Sequence, residues 1–311
     1  MAKRLAPVVV AVAACALTSA GVAAADNLIF IKANNIWIAN ADGSNQRRVT
    51  RDGTARYPYE SPSAADDGTI VAVRATATTR RRIYRMRPNG RLLNAPINTP
   101  APGTGAIDAK VSPNGRFVAY WFSTAVQSPF CSFCITAANQ ALISYSNRFT
   151  APYALGSPYT GGWPSWIGND TLVLTSGSAE VWYYRRGMRE AAAWFADYQT
   201  GGGVPIPTLL DAEVSRNGTR LAVVRGDNRD SVVLYATRGR PPAVPSPFAH
   251  NCSFQADAGP LYGPTWSNDG KLLAMHDSAG IWVTSLPSLT SCGKVRLAVR
   301  GGSQPDFGPA R

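Results

Sequence analysis

The chain has 311 residues, of which 45% are hydrophobic and only 16% charged, a composition that excludes a disordered protein and suits one large domain or two modest ones. Its formal net charge is +12, which indicates attraction to anionic surfaces and carries no information on fold. The 28 glycines and 23 prolines are expected of many short strands joined by turns.

Residues 1–25 are predicted to be a signal peptide, with residues 26–311 forming the folded domain. Lys3 and Arg4 give a basic start, residues 5–17 an apolar run, and residues 23–25 three alanines suited to cleavage before Asp26. The apolar run is too short for a convincing membrane span. Two alternatives stay open, an uncleaved anchor and a lipoprotein attached at Cys15, although the alanine-rich sequence after Cys15 argues against the second.

Export has consequences for compartment, partners and cysteines. The mature protein is expected to be secreted, in the extracellular space, the periplasm or the cell envelope, without a transmembrane span and without contact with nucleic acid. Four cysteines remain after cleavage, and an even number in an exported chain favours disulfides. Pairing of Cys131 with Cys134 and of Cys252 with Cys292 is the preferred arrangement among three. A redox or zinc site at Cys131-x-x-Cys134 is the alternative.

Taken in chain order, the sequence predicts strands that recur in pairs. They lie at residues 28–31, 35–39 and 47–50, then 69–75 and 82–86, 116–122 and 141–146, 171–175 and 180–184, 220–225 and 231–236, and finally 272–275 and 280–285. An insertion containing two cysteines separates residues 116–122 from 141–146. Residues 189–198 are compatible with a strand or a helical turn.

Glycine turns mark the start of each pair of strands. Gly68, Gly115, Gly218 and Gly270 follow one another at a step of about 50 residues, and an Asn169-Asp170 turn fills the gap. Periods in this range are typical of propeller blades, each a four-stranded sheet. The segment 304–310 looks like the opening of a unit with nothing after it, whereas residues 27–50 lack an opening. The sequence therefore predicts an all-β fold, a six-bladed β-propeller of four-stranded antiparallel blades closed by strands from both termini.

The repeat resembles that of the TolB-type six-bladed propeller, a WD40-like repeat of the form Pro-x-Trp-Ser-Pro-Asp-Gly, strand, Ile-Tyr, second Asp-Gly turn. The residues that carry the resemblance are Pro264 to Gly270 and Ile36-Trp37 with Asp42-Gly43, and more loosely Ser112 to Gly115 and Ile83-Tyr84. It covers residues 26–311 but not the small α/β domain that precedes the propeller in TolB, nor the hydrolase domain of peptidases with the same repeat. It implies the fold strongly and the function weakly.

The sequence contains no Gly-x-Ser-x-Gly elbow, Walker loop, His-Glu-x-x-His or EF-hand loop, so no cofactor or metal is expected. The two histidines, His250 and His276, lack an evident nucleophile partner and are expected to be surface or hydrogen-bonded residues.

Charged residues are predicted to meet at one mouth of the central channel, where the leading ends of the innermost strands crowd together. Counted back from Trp266 and its equivalents, the candidates are Asp108, Lys110, Trp163, Asp211, Glu213, Tyr262 and Asp306, with Ser61, Ser165, Thr265 and Gln304 beside them. The hypothesis is a site for a cation, a cationic peptide or a sugar, with Trp163 or Tyr262 as a stacking surface. The alternative is that these side chains pair with Lys110 and nearby arginines and cap backbone groups.

Two other groups of residues stand out. The arginines 80, 81, 82, 85 and 87, and the arginines 185, 186 and 189, suggest a polyanion-binding patch or a solvated turn. Trp37, Tyr84, Trp182 and Trp282 occupy equivalent positions in four units, which favours a packing role between sheets.

The function favoured by the sequence is an exported, non-catalytic and monomeric binding or scaffold propeller that contacts an envelope protein or glycan, with an anionic cell-surface polymer as a further partner. The alternative is a polysaccharide lyase or hydrolase that uses Asp211, Glu213 and Asp306. Two of these carboxylates would have to face a cleft and lie about 5 to 10 Å from each other.

Overall fold

The computed structural model describes residues 26–76, 81–97, 105–127, 135–146, 153–154, 162–175, 177–197, 208–226, 229, 231–237, 241–243, 254–255, 259–289 and 293–309. The predicted signal peptide, the cysteines 131, 134, 252 and 292, Arg80 and His250 lie outside these residues. Within them, no helix has the length and apolar character needed to cross a membrane.

The described residues form twenty-three strands, and the predicted all-β class is confirmed. They are β1 (Asn27–Lys32), β2 (Asn35–Asn40), β3 (Arg47–Arg48), β4 (Tyr59–Ala64), β5 (Ile70–Ala75), β6 (Arg81–Met86), β7 (Asp108–Val111), β8 (Phe117–Gln127), β9 (Ile135–Tyr145), β10 (Tyr153–Ala154), β11 (Ser165–Ile167), β12 (Thr171–Thr175), β13 (Glu180–Arg185), β14 (Ala192–Ala196), β15 (Leu209–Val214), β16 (Arg220–Arg225), β17 (Ser231–Ala236), β18 (Phe254–Gln255), β19 (Tyr262–Trp266), β20 (Leu272–His276), β21 (Gly280–Ser285), β22 (Arg296–Arg300) and β23 (Ser303–Gly308).

These strands pair as five four-stranded sheets and one three-stranded sheet, all antiparallel. We number the sheets in chain order: sheet 1 is β23-β1-β2-β3, sheet 2 is β4-β5-β6, sheet 3 is β7-β8-β9-β10, sheet 4 is β11 to β14, sheet 5 is β15 to β18 and sheet 6 is β19 to β22. The edge strands β23, β4, β7, β11, β15 and β19, the inner strands, contact one another in succession. Sheets that follow one another about their inner strands are the architecture of a β-propeller.

Two sequence expectations need correction, and one open alternative is decided. The strands expected at 116–122 and 141–146 are longer, because β8 and β9 pair as one hairpin up to Gln127 and Ile135. Residues 189–198 were compatible with a strand or a helical turn, and Ala192–Ala196 form a strand, β14. Sheet 2 has three strands instead of the expected four: Leu92 and Ile97 form only isolated bridges with Met86 and Ile83, and Pro96 cannot donate to a ladder in between.

The repeated turns have the same local structure wherever the sequence reads Ser-x-(Asn/Asp)-Gly. In the turn at Ser267, the carbonyl accepts a bond from the Gly270 N–H (2.8 Å), and the hydroxyl donates to Asp269 (2.7 Å) and accepts from the Leu272 N–H (2.8 Å). Gly270 has a φ of +70°, which a Cβ would strain. The turns at Ser112 and Ser215 make the same bonds, so the glycine step in the sequence reports a real structural unit.

The core lies between neighbouring sheets. Between sheets 6 and 1, for example, Phe307 and Phe30 pack with Ile281 and Val283. The partly buried aromatics of the middle strands, Trp37, Tyr84, Trp182 and Trp282, each pack against such a cluster, which supports their predicted packing role. Apolar residues therefore face both sides of each sheet, as expected where neighbours cover both faces.

Candidate ligand site at the channel mouth

The inner strands share a register that places two residues of each strand along the central channel. The mouth positions are Ser61, Asp108, Trp163, Asp211, Gly263 and Gln304, and the deep positions, two residues later, are Ser63, Lys110, Ser165, Glu213, Thr265 and Asp306. All six mouth residues line one cavity of about 320 Å³. We call it the mouth pocket.

The local backbone explains how the mouth residues reach the pocket. Four of them precede a proline and have a positive φ: Ser61 (46°), Trp163 (38°), Gly263 (55°) and Gln304 (50°). Proline offers no N–H to the ladder, and the register shifts between Tyr262 and Thr265 are bulges of the kind that re-aim side chains. The two inner strands that lack this proline, β7 and β15, carry Asp108 and Asp211 at the mouth.

Each inner strand is hydrogen-bonded to the next by a side chain close to the channel. Four side chains accept a backbone N–H of the neighbouring strand: Asp306 from Ala64 (2.8 Å), Ser63 from Val111 (3.2 Å), Ser165 from Val214 (2.9 Å) and Thr265 from Phe307 (3.4 Å). Two indole N–H groups donate to a backbone carbonyl of the neighbouring strand: Trp166 to Lys110 (2.9 Å) and Trp266 to Glu213 (3.1 Å). Backbone capping was the alternative expected from sequence, and it describes the role of these deep residues well.

Lys110 is the electrostatic centre of the channel. Its Nζ lies 3.1 Å from Asp306 Oδ1 and 3.8 Å from Glu213 Oε2, so sheet 3 is tied to sheets 1 and 5. Burial alone would lower the pKa of Lys110, but the carboxylates of Asp306, Glu213, Asp108 and Asp211 outweigh burial and raise it. Lys110 is therefore a permanent cation that faces four carboxyl groups.

The deep part of the channel is filled by side chains. Arg216, on the turn after β15, donates from Nη2 to the Ala64 carbonyl (2.8 Å), and its Nη1 lies 3.4 Å from Asp66 Oδ1, so it reaches from sheet 5 to sheet 2. The cavity lined by Arg216, Lys110, Glu213 and Asp306 has a volume of only about 20 Å³. A ligand larger than a water molecule therefore has room in the mouth pocket and not below it.

The aromatic wall of the mouth pocket is already in contact with residues of the chain itself. The Tyr262 ring stacks on His276 at 5.3 Å, and Arg229 Cζ lies 4.5 Å from the centre of the same ring. Trp163 contacts Trp121 at 5.7 Å and Arg229 at 5.1 Å. Stacking of a sugar on Trp163 or Tyr262, as the sequence suggested, would compete with these contacts.

The carboxyl groups at the mouth are held in an unfavourable environment for a negative charge. Burial, and then the neighbouring Asp108 carboxylate, raise the pKa of Asp211 to about 6, against the effects of Lys110, the Gly263 N–H and Arg229. Burial also raises the pKa of Asp108 and, despite Lys110, that of Glu213. Perturbed carboxyl groups in a cleft mark a candidate functional site.

His276 is a wall residue and not an available base. Its Nδ1 accepts a hydrogen bond from the Gln304 N–H (3.2 Å). Burial lowers the pKa of His276 to about 4, so the imidazole is neutral at physiological pH. The sequence interpretation of a satisfied histidine fits this arrangement.

The structure brings the seven predicted site residues together around two adjoining cavities. Asp108, Trp163, Asp211 and Tyr262 line the mouth pocket, and Lys110 lines both cavities; Glu213 and Asp306 line the deep one. Sequence reasoning missed Trp121, His276, Arg216 and Arg229. Trp121 and His276 are the cross-strand partners of Asp108 and Tyr262, so strand register would have found them.

Replacing Asp211 by Asn is expected to stabilise the fold at neutral pH. In the folded chain the Asp211 carboxyl keeps its proton up to pH about 6, whereas in the unfolded chain it loses the proton near pH 3.8. Between these two pH values the folded state binds more protons than the unfolded state. The free energy of unfolding therefore falls as the pH rises from about 4 to 6. Asp211→Asn keeps an acceptor for the Gly263 N–H, 2.7 Å away, and removes the cost of ionisation. We expect a gain of about 1 to 2 kcal/mol at pH 7.5 that shrinks towards pH 4. Urea unfolding at both pH values measures it, and a loss of stability at pH 7.5 would refute the assignment.

Metal binding has no ready-made site in the part of the chain that the structure describes. No three His, Cys, Asp or Glu side chains there are arranged to hold an ion.

Comparison with known proteins supports the β-propeller fold and gives no information on function. No family model matches the chain, and no curated protein matches it significantly. Among solved structures, a chain of the nidogen/laminin complex matches with a TM-score of 0.61 and 10% identity, over 92% of this chain and 98% of that one. The Cps50 (Swd1) β-propeller domain of Myceliophteria thermophila matches with a TM-score of 0.54 and 12% identity, over 88% and 83%. At these identities the likeness shows the β-propeller fold alone.

Proposed function

We propose that the chain is an exported, non-catalytic binding module, a six-bladed propeller of the TolB type whose mouth pocket recognises a cationic group on an envelope protein or glycan. The propeller fold is consistent with a protein-binding scaffold. The observation that carries the proposal is the pair of carboxyl groups of Asp108 and Asp211, which line the mouth pocket and form no salt bridge among the described residues.

The count of six blades is supported by the contacts between inner strands. Hydrogen bonds lead from β23 to β4, β7, β11, β15 and β19 in turn, and the Phe307 N–H then bonds Thr265 of β19. In sheet 1, β23 pairs with β1 from Asn27↔Gly308 to Ile31↔Ser303, so strands from both ends of the chain share one sheet. This pairing leaves no free inner edge at the point where the ring would close.

The charge at the mouth favours a cationic ligand. Asp306 and Glu213 are neutralised in part by Lys110, whereas Asp108 and Asp211 have no ion-pair partner among the described residues. Lys110 acts on both carboxyl groups, and Arg229 on Asp211, only from beyond salt-bridge distance. Two carboxyl groups without a direct salt bridge at the wall of a cavity that has room for a small organic group are costly in the free protein. A ligand ammonium or guanidinium group would relieve this cost, whereas a neutral sugar would not.

The enzyme alternative has lost two of its three carboxylates. Of Asp211, Glu213 and Asp306, the last two are ion-paired with Lys110 deep in the channel, next to a cavity of about 20 Å³. A lyase or hydrolase needs two carboxyl groups that face the substrate. The two that line the mouth pocket are Asp108 and Asp211, so the enzyme alternative would have to rest on this pair and can no longer use Glu213 or Asp306.

Matched ligands that differ only in charge test the proposal. Calorimetric titration of the purified protein with glucosamine against N-acetylglucosamine, and with a lysine-containing peptide against its acetyl-lysine form, is expected to show binding of the charged member of each pair only. The double variant Asp108→Asn/Asp211→Asn should lose this binding, and Glu190→Gln, which removes an exposed carboxylate, should keep it. Equal binding of charged and neutral members, or no binding of either charged probe, would contradict the proposal.

A further inference from the structure

The outer edge of three neighbouring sheets carries a strong excess of positive charge. The outer strands of sheets 6 and 1, the segments that adjoin them and the segment after β6 of sheet 2 expose the basic residues Lys294, Arg296, Arg300, Arg47, Arg48, Arg51, Arg56 and Arg91. We call this set the basic arc. The exposed carboxylates in the same segments, residues 42–56, 85–97 and 293–301, are those of Asp42 and Asp52. A large part of the net charge of +12 is thus concentrated on one side of the molecule.

The basic arc is continuous, because direct contacts join the three sheets. Arg296 Nη1 donates to the Asp42 carbonyl (2.9 Å), which links sheet 6 to sheet 1. Arg47 Nη1 donates to the Pro88 carbonyl (2.9 Å), which links sheet 1 to sheet 2. The backbones approach so closely at Gly43 that a Cβ there would lie 2.1 Å from the Ala298 carbonyl oxygen. The arginines therefore stand on a rigid, shared edge.

The acidic residues near the basic arc are engaged with other partners. Asp52 Oδ2 lies 2.6 Å from Arg74 Nη1. Asp42 accepts bonds from the N–H and hydroxyl of Ser44. Among the described residues, no ion pair involves a member of the basic arc, although the Asp42 carboxylate acts on Arg296 from a longer distance.

The basic arc differs from the arginine run that the sequence singled out. Arg81 is paired with Glu60 at 3.2 Å. Arg82 and Arg85 are half-buried, with the Nε atom of each enclosed. Arg81, Arg82 and Arg85 are therefore not part of the basic arc, which arginines distant in sequence form instead.

We propose that the basic arc binds a linear anionic polymer bearing phosphate or sulfate groups. Guanidinium groups suit these anions because they offer planar, paired donors and stay charged. Three sheets that succeed one another around a propeller present a convex edge, which a flexible chain can follow and a flat bilayer touches only in part. The large apolar side chains exposed in these segments are those of Leu92 (49% exposed) and Val295 (39%). Their replacement tests whether the surface inserts into a membrane instead.

The experiment measures the affinity of the protein for long-chain polyphosphate, by fluorescence anisotropy over a range of salt concentrations. The triple variant Arg51→Gln/Arg91→Gln/Arg300→Gln removes one charge from each sheet, at side chains that make no hydrogen bond among the described residues. We expect binding at least tenfold weaker in about 0.1 M salt, and a slope of log affinity against log salt reduced by about two. The control Arg116→Gln/Arg189→Gln/Lys271→Gln removes three exposed charges elsewhere and should lose less than threefold.

Two further binding experiments distinguish an anionic polymer from free phosphate and from an anionic membrane. Inorganic phosphate should not compete at equal phosphate concentration, and vesicles containing one third phosphatidylglycerol should bind more weakly than the polymer. Equal losses in the two triple variants would overturn the proposal. So would vesicle binding that is stronger than polymer binding and is abolished by Leu92→Ser/Val295→Ser, because that result would make the arc a membrane surface.

Discussion

A chain that ends at residue 302 is expected to lose its cooperative fold. The deletion removes β23, which pairs with β1, and with it Phe307, which is 2% exposed and packs between sheets 6 and 1. It also removes Asp306, the closest partner of Lys110. Loss of the buried ring costs about 3 to 5 kcal/mol, and an uncompensated buried charge costs a similar amount. Together they approach the total stability of an ordinary domain, about 5 to 15 kcal/mol.

Thermal unfolding followed by circular dichroism measures this effect. The truncated chain should show no cooperative transition, and removal of residues 310–311 alone should change the melting temperature little. Addition of a synthetic peptide of residues 301–311 should restore part of the transition, because a strand can be supplied from outside. A truncated protein that melts like the full chain would refute the proposed closure of the propeller by both termini.

Replacement of Lys110 by Met is expected to have the second-largest effect, a loss of about 3 to 5 kcal/mol at pH 7.5. The variant keeps the apolar length of the side chain and removes the charge that faces Asp306, Glu213, Asp108 and Asp211. At lower pH the carboxyl groups take up protons, their mutual repulsion falls, and the difference from the natural chain should shrink. Stability of the variant therefore falls more steeply with rising pH between about 5 and 7.5.

Urea unfolding at pH 5 and pH 7.5 tests this prediction. The double variant Lys110→Met/Glu213→Gln should recover part of the loss at pH 7.5, because it removes one of the unpaired negative charges. A loss that is equal at both pH values would show that Lys110 acts through packing and not through its charge.

The fold was predictable because it is repeated. The Ser-x-(Asn/Asp)-Gly turns at Ser112, Ser215 and Ser267 are held by hydrogen bonds between residues of the motif itself, so the motif alone predicts them. The length of the β8–β9 hairpin was not predictable. The ends of these strands depend on pairing between residues that are distant in sequence, and the sequence around the cysteines suggested an insertion. The missing strand of sheet 2 depends in the same way on proline placement relative to a partner strand.

The candidate site was predictable from register and not from motifs. Asp108 and Asp211 could be placed at the channel because each lies seven residues before the turn glycine of its unit, Gly115 or Gly218, and the inner strands have one orientation. Arg229 could not be placed, because its position over Trp163 and Tyr262 depends on how three sheets meet. The division of roles between Lys110, which neutralises the deep carboxylates, and the mouth carboxylates depends on distances that only the structure supplies.

The pH dependence of binding a lysine-containing peptide tests the central claim, recognition of a cation by the mouth carboxylates, most directly. The peptide stays protonated throughout, while Asp211, with its pKa raised to about 6, ionises. Calorimetry should show affinity rising about tenfold from pH 5 to pH 7.5, with protons released on binding at the lower pH. Asp108→Asn/Asp211→Asn should abolish both the affinity and its pH dependence. Affinity that is independent of pH, or that falls as Asp211 ionises, would contradict the claim.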